Sequence, residues 1–189
     1  MNRLLLRTLN PLLFLGISLL GLAIQSSLFR WSILSWAQPD LMIILVIWLA
    51  LKRDFGEGGV LTLLLASIAE IHSAAPRGIL LLHAMVVFLG VCSLTKYFVV
   101  GKVRQWIILT ALCSILWSIS NETVLFLLRG TFTPLGYALT ALFQKMIATS
   151  VFSYWAYPLL DRFDILTHKK REGVNRLEDD IQIFEEETI

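Results

Sequence analysis

Lysine and arginine keep step with the apolar runs of this chain. They gather at every second gap between runs and nearly vanish from the gaps between. A backbone that crosses lipid must satisfy its own hydrogen bonds, so long apolar runs cross as helices. The side of the membrane that each loop occupies then follows its Lys and Arg content. The fold class this rhythm predicts is an all-α polytopic membrane protein. Composition agrees: 57% of residues are hydrophobic, against about 45–50% in an ordinary soluble domain. Here they are blocked into runs instead of spread in periodic patterns.

A span needs roughly 20 mostly apolar residues. Six segments qualify, at about 11–30, 36–51, 58–75, 78–99, 105–128 and 134–159, which makes residues 1–160 a six-helix transmembrane domain. The second is the shortest. Its clean apolar core, Leu41 to Leu51, is 11 residues long, a length that also fits a re-entrant segment. Charge decides between the two. With Arg3 and Arg7 cytoplasmic, the inner side holds Lys52, Arg53, Lys96, Lys102, Arg104, Arg162, Lys169, Lys170, Arg171 and Arg176 as well, 12 in all, against Arg30, Arg77 and Arg129 outside. A re-entrant second segment would carry Lys52 and Arg53 outside and reverse the later loops. Six spans with both termini in the cytoplasm are therefore expected.

The aromatic residues fit this layout. Trp31 and Trp36 fall near the outer surface and Trp48, Trp106, Trp155 and Tyr157 near the inner one, as interfacial belts require. Trp117 is mid-span and is expected to pack against a neighbouring helix. The basic-then-apolar N-terminus lacks a small-x-small cleavage site, so an uncleaved anchor is expected. Cys92 and Cys113 lie inside spans without metal-ligand spacing and read as small buried hydrophobes. No metal or cofactor is expected.

The tail, residues 161–189, holds nine of the 14 acidic residues and five basic ones, so it carries −4 while the rest carries +6. It reads as a solvated cytoplasmic segment, partly helical near Val174 to Phe184. Lys169, Lys170 and Arg171 can rest on anionic headgroups, and the acidic end either docks a cytoplasmic partner or only solubilises.

Polar residues inside a bilayer are costly and point to function by default. Those inside the spans are Gln25, Glu70, His72, His83, Asn121, Glu122, Gln144 and Lys145. At about 1.5 Å per residue they gather in the middle and outer half. Lys145 is expected to pair with Glu122 or Glu70, and His83 to hydrogen-bond the other carboxylate, since an unpaired charge at that depth would neutralise. Gln25, Glu70, His83, Asn121, Glu122 and Lys145 thus form either a structural network that sets helix register or a polar cavity open to the outside. Catalysis finds no residues: there is no phosphate loop, nucleophile elbow or metalloprotease pair. Glu70 and His72 lie about 200° apart on a helix and cannot share a ligand. Gly56-Glu-Gly-Gly59 reads as a short inner turn and lacks the Lys and Ser/Thr of a nucleotide loop. A non-enzyme is expected.

Three stretches resemble one known family. Pro39-Asp-Leu-Met-Ile-Ile-Leu-Val-Ile-Trp-Leu-Ala-Leu-Lys-Arg-Asp54 resembles the second span of the rod shape-determining protein MreD family, in which Pro-Asp or Pro-Asn opens a short apolar helix ending in a basic pair. Gly58 to Gly78, with Glu70-Ile-His72-Ser73 and Pro76, resembles the helix that follows. Tyr157-Pro-Leu-Leu-Asp-Arg162 resembles the family's closing span. Span number, order and size fit over residues 10–163. Glu70 stands where the family usually has Asp, His72 and Ala74 replace an apolar residue and Gly, and the acidic tail is longer than expected.

The resemblance implies a non-catalytic inner-membrane subunit of the bacterial elongation machinery. It implies contact with a bitopic MreC-like protein and, through the complex, with an MreB-like filament, a RodA-like glycosyltransferase and a class B transpeptidase. It implies no nucleic-acid partner. It also implies a six-helix bundle similar to the S-components of energy-coupling-factor transporters, with a cavity toward the outside. That similarity supplies the alternative: an S-component that captures a vitamin or metal. Against it, the first span is Leu-rich where S-components commonly place Ala-rich motifs. Small residues let helix backbones approach closely in lipid, so Gly16, Ser18, Gly21 and Ala23 are the expected partner face.

Overall fold

A computed structural model describes residues 3–28, 38–73, 76–95, 103–130 and 134–166. The described residues form six α-helices and no strand: α1 Arg3–Leu28, α2 Leu41–Lys52, α3 Phe55–Ile71, α4 Ile79–Leu94, α5 Val103–Arg129 and α6 Leu135–Leu166. The expected all-α class and helix order are those observed, with boundaries displaced by one to eight residues. The Lys169–Arg171 basic stretch and the rest of the tail from residue 167 lie outside the described residues, as do Trp31 and Trp36.

The shortest helix is the hub. Asp40 starts α2 by accepting hydrogen bonds from the backbone N–H of Met42 (3.1 Å) and Ile43 (3.4 Å), satisfying donors that a helix end leaves open. The next residues are apolar on every side, and a helix of that kind belongs in an interior. Met42 through Leu49 are all buried, and α2 touches each of the other five helices. Trp48 belongs to this core. It is fully buried and stacks on Phe14 of α1 with centroids 4.9 Å apart. Trp48, like Trp106 (7% exposed) and Tyr157 (5%), is enclosed by neighbouring helices and so does not form the expected interfacial belt. Trp155, by contrast, is 58% exposed.

Close approach around α2 depends on one glycine. Gly56-Glu-Gly-Gly59, read from sequence as a turn, forms the first turns of α3. A Cβ on Gly58 would lie 3.0 Å from the Leu49 carbonyl oxygen and 3.1 Å from the Phe88 ring, whereas one on Gly56 would meet nothing within 4 Å. On the far side α5 and α6 pack along their lengths. Trp106 packs 4.1 Å from Tyr157, whose hydroxyl lies 3.0 Å from Thr110 Oγ1.

Among the described residues, two helices carry stretches long and apolar enough to cross a membrane, Leu9–Ser27 of 19 residues and Arg104–Leu128 of 25. The 12 residues of α2 reach about 18 Å, short of the roughly 30 Å of bilayer hydrocarbon. The brevity of α2 leaves a recess beyond its N-terminus, and the polar residues collect there.

Candidate functional site

The recess is floored by Pro39 and Asp40. Gln25, near the end of α1, holds this turn with both halves of its amide. Its Nε2 donates to the Pro39 carbonyl at 2.6 Å, and its Oε1 accepts from the Leu41 N–H at 3.2 Å. The Asp40 N–H donates to Thr149 Oγ1 of α6 at 2.9 Å. The free carboxylate oxygen of Asp40 meets Lys145 Nζ at 2.7 Å. Lys145 also lies 5.8 Å from the centre of the Trp117 ring, within cation–π range.

The carboxylate that pairs with Lys145 is therefore Asp40, in place of the expected Glu122 or Glu70. Glu70 Oε1 instead accepts from the Leu80 N–H at 3.2 Å, capping the first turn of α4. His83 is 1% exposed and packs on Trp117, centroids 5.4 Å apart, with no hydrogen-bond partner for its Nε2 among the described residues. It does not take the expected carboxylate. Trp117 does pack against its neighbours, as expected, with His83 of α4 and Lys145 of α6.

Two cavities adjoin at Lys145. One, of about 570 Å³, is lined by Gln25, Gln38, Asp40, Gln144 and Lys145. The other, of about 660 Å³, lies between α5 and α6 and is lined by Trp117, Asn121, Glu122 and Lys145. Tyr137, Ala141 and Lys145 line both. Their spacing of four places them on one face of α6, so this ridge divides the two spaces. Lys145 thus adjoins Gln25 in one cavity and Asn121 and Glu122 in the other, while Glu70 lines neither and His83 packs behind Trp117. The expected partner face divides as well: Ser18 is buried and Gly21 faces Leu41, while Gly16 and Ala23 are exposed and line a third cavity of about 690 Å³ with His72. Residues two apart on a helix differ by about 200°, so the four could not share one side.

The opposite end of α2 carries a second polar cluster. Arg53 has no exposed side-chain surface. Its Nη2 donates at 2.7 Å to both Asn10 Oδ1 of α1 and Asp164 Oδ1 of α6. Its Nε lies 3.7 Å from Glu57, and the guanidinium lies over the Trp48 ring at 5.0 Å. Beside it, Lys52 pairs with Asp161 at 3.2 Å and lies 5.3 Å from the Trp106 ring. Burial pushes the Asp164 carboxyl above the ordinary carboxylate range, against the lowering pull of Arg53 and Asn10. Read from sequence, Arg53 was a loop charge.

Among the described residues, no group of three or more His, Cys, Asp or Glu is arranged to hold a metal. Comparisons with protein-family models, curated proteins and solved structures give no match to this chain.

Proposed function

We propose that the chain is a six-span, non-catalytic inner-membrane subunit of a rod-shape elongation complex, with both termini in the cytoplasm. It helps maintain cell shape by scaffolding lateral peptidoglycan synthesis through an MreC-like bitopic partner. One observation carries this: the Pro39–Arg53 stretch, which bears the MreD resemblance, is the helix on which all others converge. Its Asp caps the helix, its apolar run is the core, and its basic pair ties the far end to α6. Asn10, Lys52, Arg53, Trp106, Asp161 and Asp164 meet at that end, consistent with a shared cytoplasmic side for these segments. Exposed apolar faces on α1, α5 and α6 suit lipid and a partner's span.

The test is affinity capture of the full chain from detergent-solubilised membranes, with partners identified by mass, together with depletion in a rod-shaped host. Capture of a bitopic MreC-like protein and rounding of depleted cells is the expected result. The polar cavity at Lys145 favours one rival, the S-component. Capture of an ATP-driven coupling subunit, with normal shape and a vitamin requirement on depletion, would overturn the elongation reading in its favour.

A further inference from the structure

We propose that the recess floored by Pro39 and Asp40 binds a neutral sugar, held by the Gln38 and Gln144 amides and Lys145 and stacked on Tyr137. These four side chains line one space of about 570 Å³, within the roughly 300–1,000 Å³ usual for small-molecule sites. Other contacts fix its frame. Gln25 engages both halves of its amide with the Pro39–Leu41 turn. Asp40 caps α2 with one carboxylate oxygen and meets Lys145 with the other. Lys145 is thereby held in place, yet it is 38% exposed. Its ammonium has three donors, of which Asp40 engages one. Gln38 and Gln144 are exposed, and neither amide is hydrogen-bonded among the described residues.

Charge and hydrogen-bonding pattern select the ligand. The two charged residues lining the space, Asp40 and Lys145, cancel. An anion drawn to Lys145 would stand beside the Asp40 carboxylate, and a cation drawn to Asp40 would stand beside the ammonium, so neither finds a net complement. The groups that remain, two amides and the Tyr137 hydroxyl, each donate and accept. Ligand hydroxyls do both as well. A planar amide can engage two adjacent hydroxyls, one at its oxygen and one at its nitrogen, and a sugar ring presents hydroxyls in that way. Tyr137 is 73% exposed, and the negative face of an aromatic ring suits the C–H face of a sugar. Ala141 lies one turn from both Tyr137 and Lys145 on the same face of α6, and its small side chain leaves the path between them open. Tyr137 and Lys145 are about 12 Å apart along the helix, so a ring stacked on one can turn its hydroxyls to the other. The inference rests on these side chains and is independent of any protein partner, so failure of the capture experiment leaves it standing.

The test uses the full chain in a zwitterionic detergent, because a glycoside detergent would itself supply sugar. Its melting temperature is measured with neutral D-monosaccharides, each against its L enantiomer. Sugars excluded from a protein surface stabilise any fold, equally for both enantiomers, so the difference between them reports a site. Binders are titrated by calorimetry on the parent and on Gln38→Ala, Gln144→Ala and Tyr137→Leu. Asn121→Ala, which alters only the neighbouring cavity, is the control. The three site variants remove exposed side chains and should melt like the parent. At least one D sugar should stabilise beyond its enantiomer, each site variant should lower its affinity by about tenfold, and Asn121→Ala should leave it unchanged. Enantiomers that do not differ up to about 50 mM, roughly fifty times a millimolar dissociation constant, overturn the proposal. Binding that survives any of the site variants, or falls as far in Asn121→Ala, overturns it too. Stabilisation by inorganic phosphate or acetate in place of sugars overturns it in favour of an anion site at Lys145.

Discussion

Replacing Arg53 by methionine tests what holds α1, α2 and α6 together at one end. The guanidinium is wholly buried and donates to Asn10 and Asp164 at 2.7 Å each. Methionine fills much of the same space against Phe14 and Trp48 but leaves Asp164, 15% exposed, without its cation. Removing one member of a buried pair costs about 3–5 kcal/mol, and the partial exposure of Asp164 places the loss at the low end. For a chain of this size that lowers the melting temperature by about 6–12 °C. The folded protein already holds the Asp164 carboxyl above its ordinary range, chiefly by burial. A carboxyl so raised contributes stability that is full below its unfolded value and is lost as pH rises through the folded one. Without Arg53 the folded value rises further, so the deficit against the parent should be full at neutral pH and shrink on acidification. Arg53→Met with Asp164→Leu should melt close to the parent, since apolar replacement of a buried pair is often neutral. Melting in detergent can be followed with a thiol-reactive dye in a Cys92→Ser background, because Cys92 is partly exposed whereas Cys113 is free and 2% exposed. A single variant as stable as the parent at neutral pH, or a deficit that deepens with acid, refutes the ion-pair account.

Two glycines of α3 should respond oppositely to alanine. Gly56→Ala should stabilise by up to about 1 kcal/mol through helix propensity, and Gly58→Ala should destabilise by about 1–3 kcal/mol through overpacking against Leu49 and Phe88; the same melts rank them. Glu70→Ala should cost about 1 kcal/mol by uncapping α4, while Glu70→Gln, which keeps an acceptor, should cost less. Asp40→Asn should keep the cap of α2 and lose only the ion pair to Lys145. Asp40→Ala should lose both and melt lower by about a further 1 kcal/mol.

Helix number and order were legible because each helix is a separate apolar run with charge at its ends. The buried position of α2 was missed, although a segment with no polar face carries that signal. Sequence reading also missed the partners of charges. Asp40 and Arg53 looked like end residues, one opening a span and one sorting a loop. The burial of Arg53 and partial burial of Asp40 follow from the three-dimensional path: a 12-residue helix at the centre of longer ones has both ends below the rim. The shortness of the Leu41–Leu51 run could have revealed this, since it requires other helices to supply the counter-charges. Asp161 and Asp164, three apart and so on one face of a helix, were a second sign of it. Glu70 was misassigned because Pro76–Gly78 turns α4 back, bringing Leu80 N–H to its carboxylate. Periodicity within a single helix carries no trace of that contact.

The charges on α2 and α6 run in opposite order along the chain. On α2 the acid, Asp40, comes first and the bases, Lys52 and Arg53, last; on α6 the base, Lys145, comes first and the acids, Asp161 and Asp164, last. Laid antiparallel, the two helices bring each charge to its opposite, and ion pairs form at both ends. From Asp40 to Lys52 is about 18 Å of helix, and from Lys145 to Asp161 about 24 Å, a difference that long lysine side chains can span. A slip of one turn, about 5.4 Å, would strain both ends together, whereas the Ile, Leu and Val surface of α2 between them distinguishes one register from the next only weakly. Buried polar pairs are best attested as devices that set register; here the buried Arg53–Asp164 pair and the part-exposed Lys145–Asp40 pair bracket a helix that is otherwise uniformly apolar. The basic pair that sorts the loop and the acids that close the last helix therefore belong to one arrangement, and Lys145 marks its opposite end.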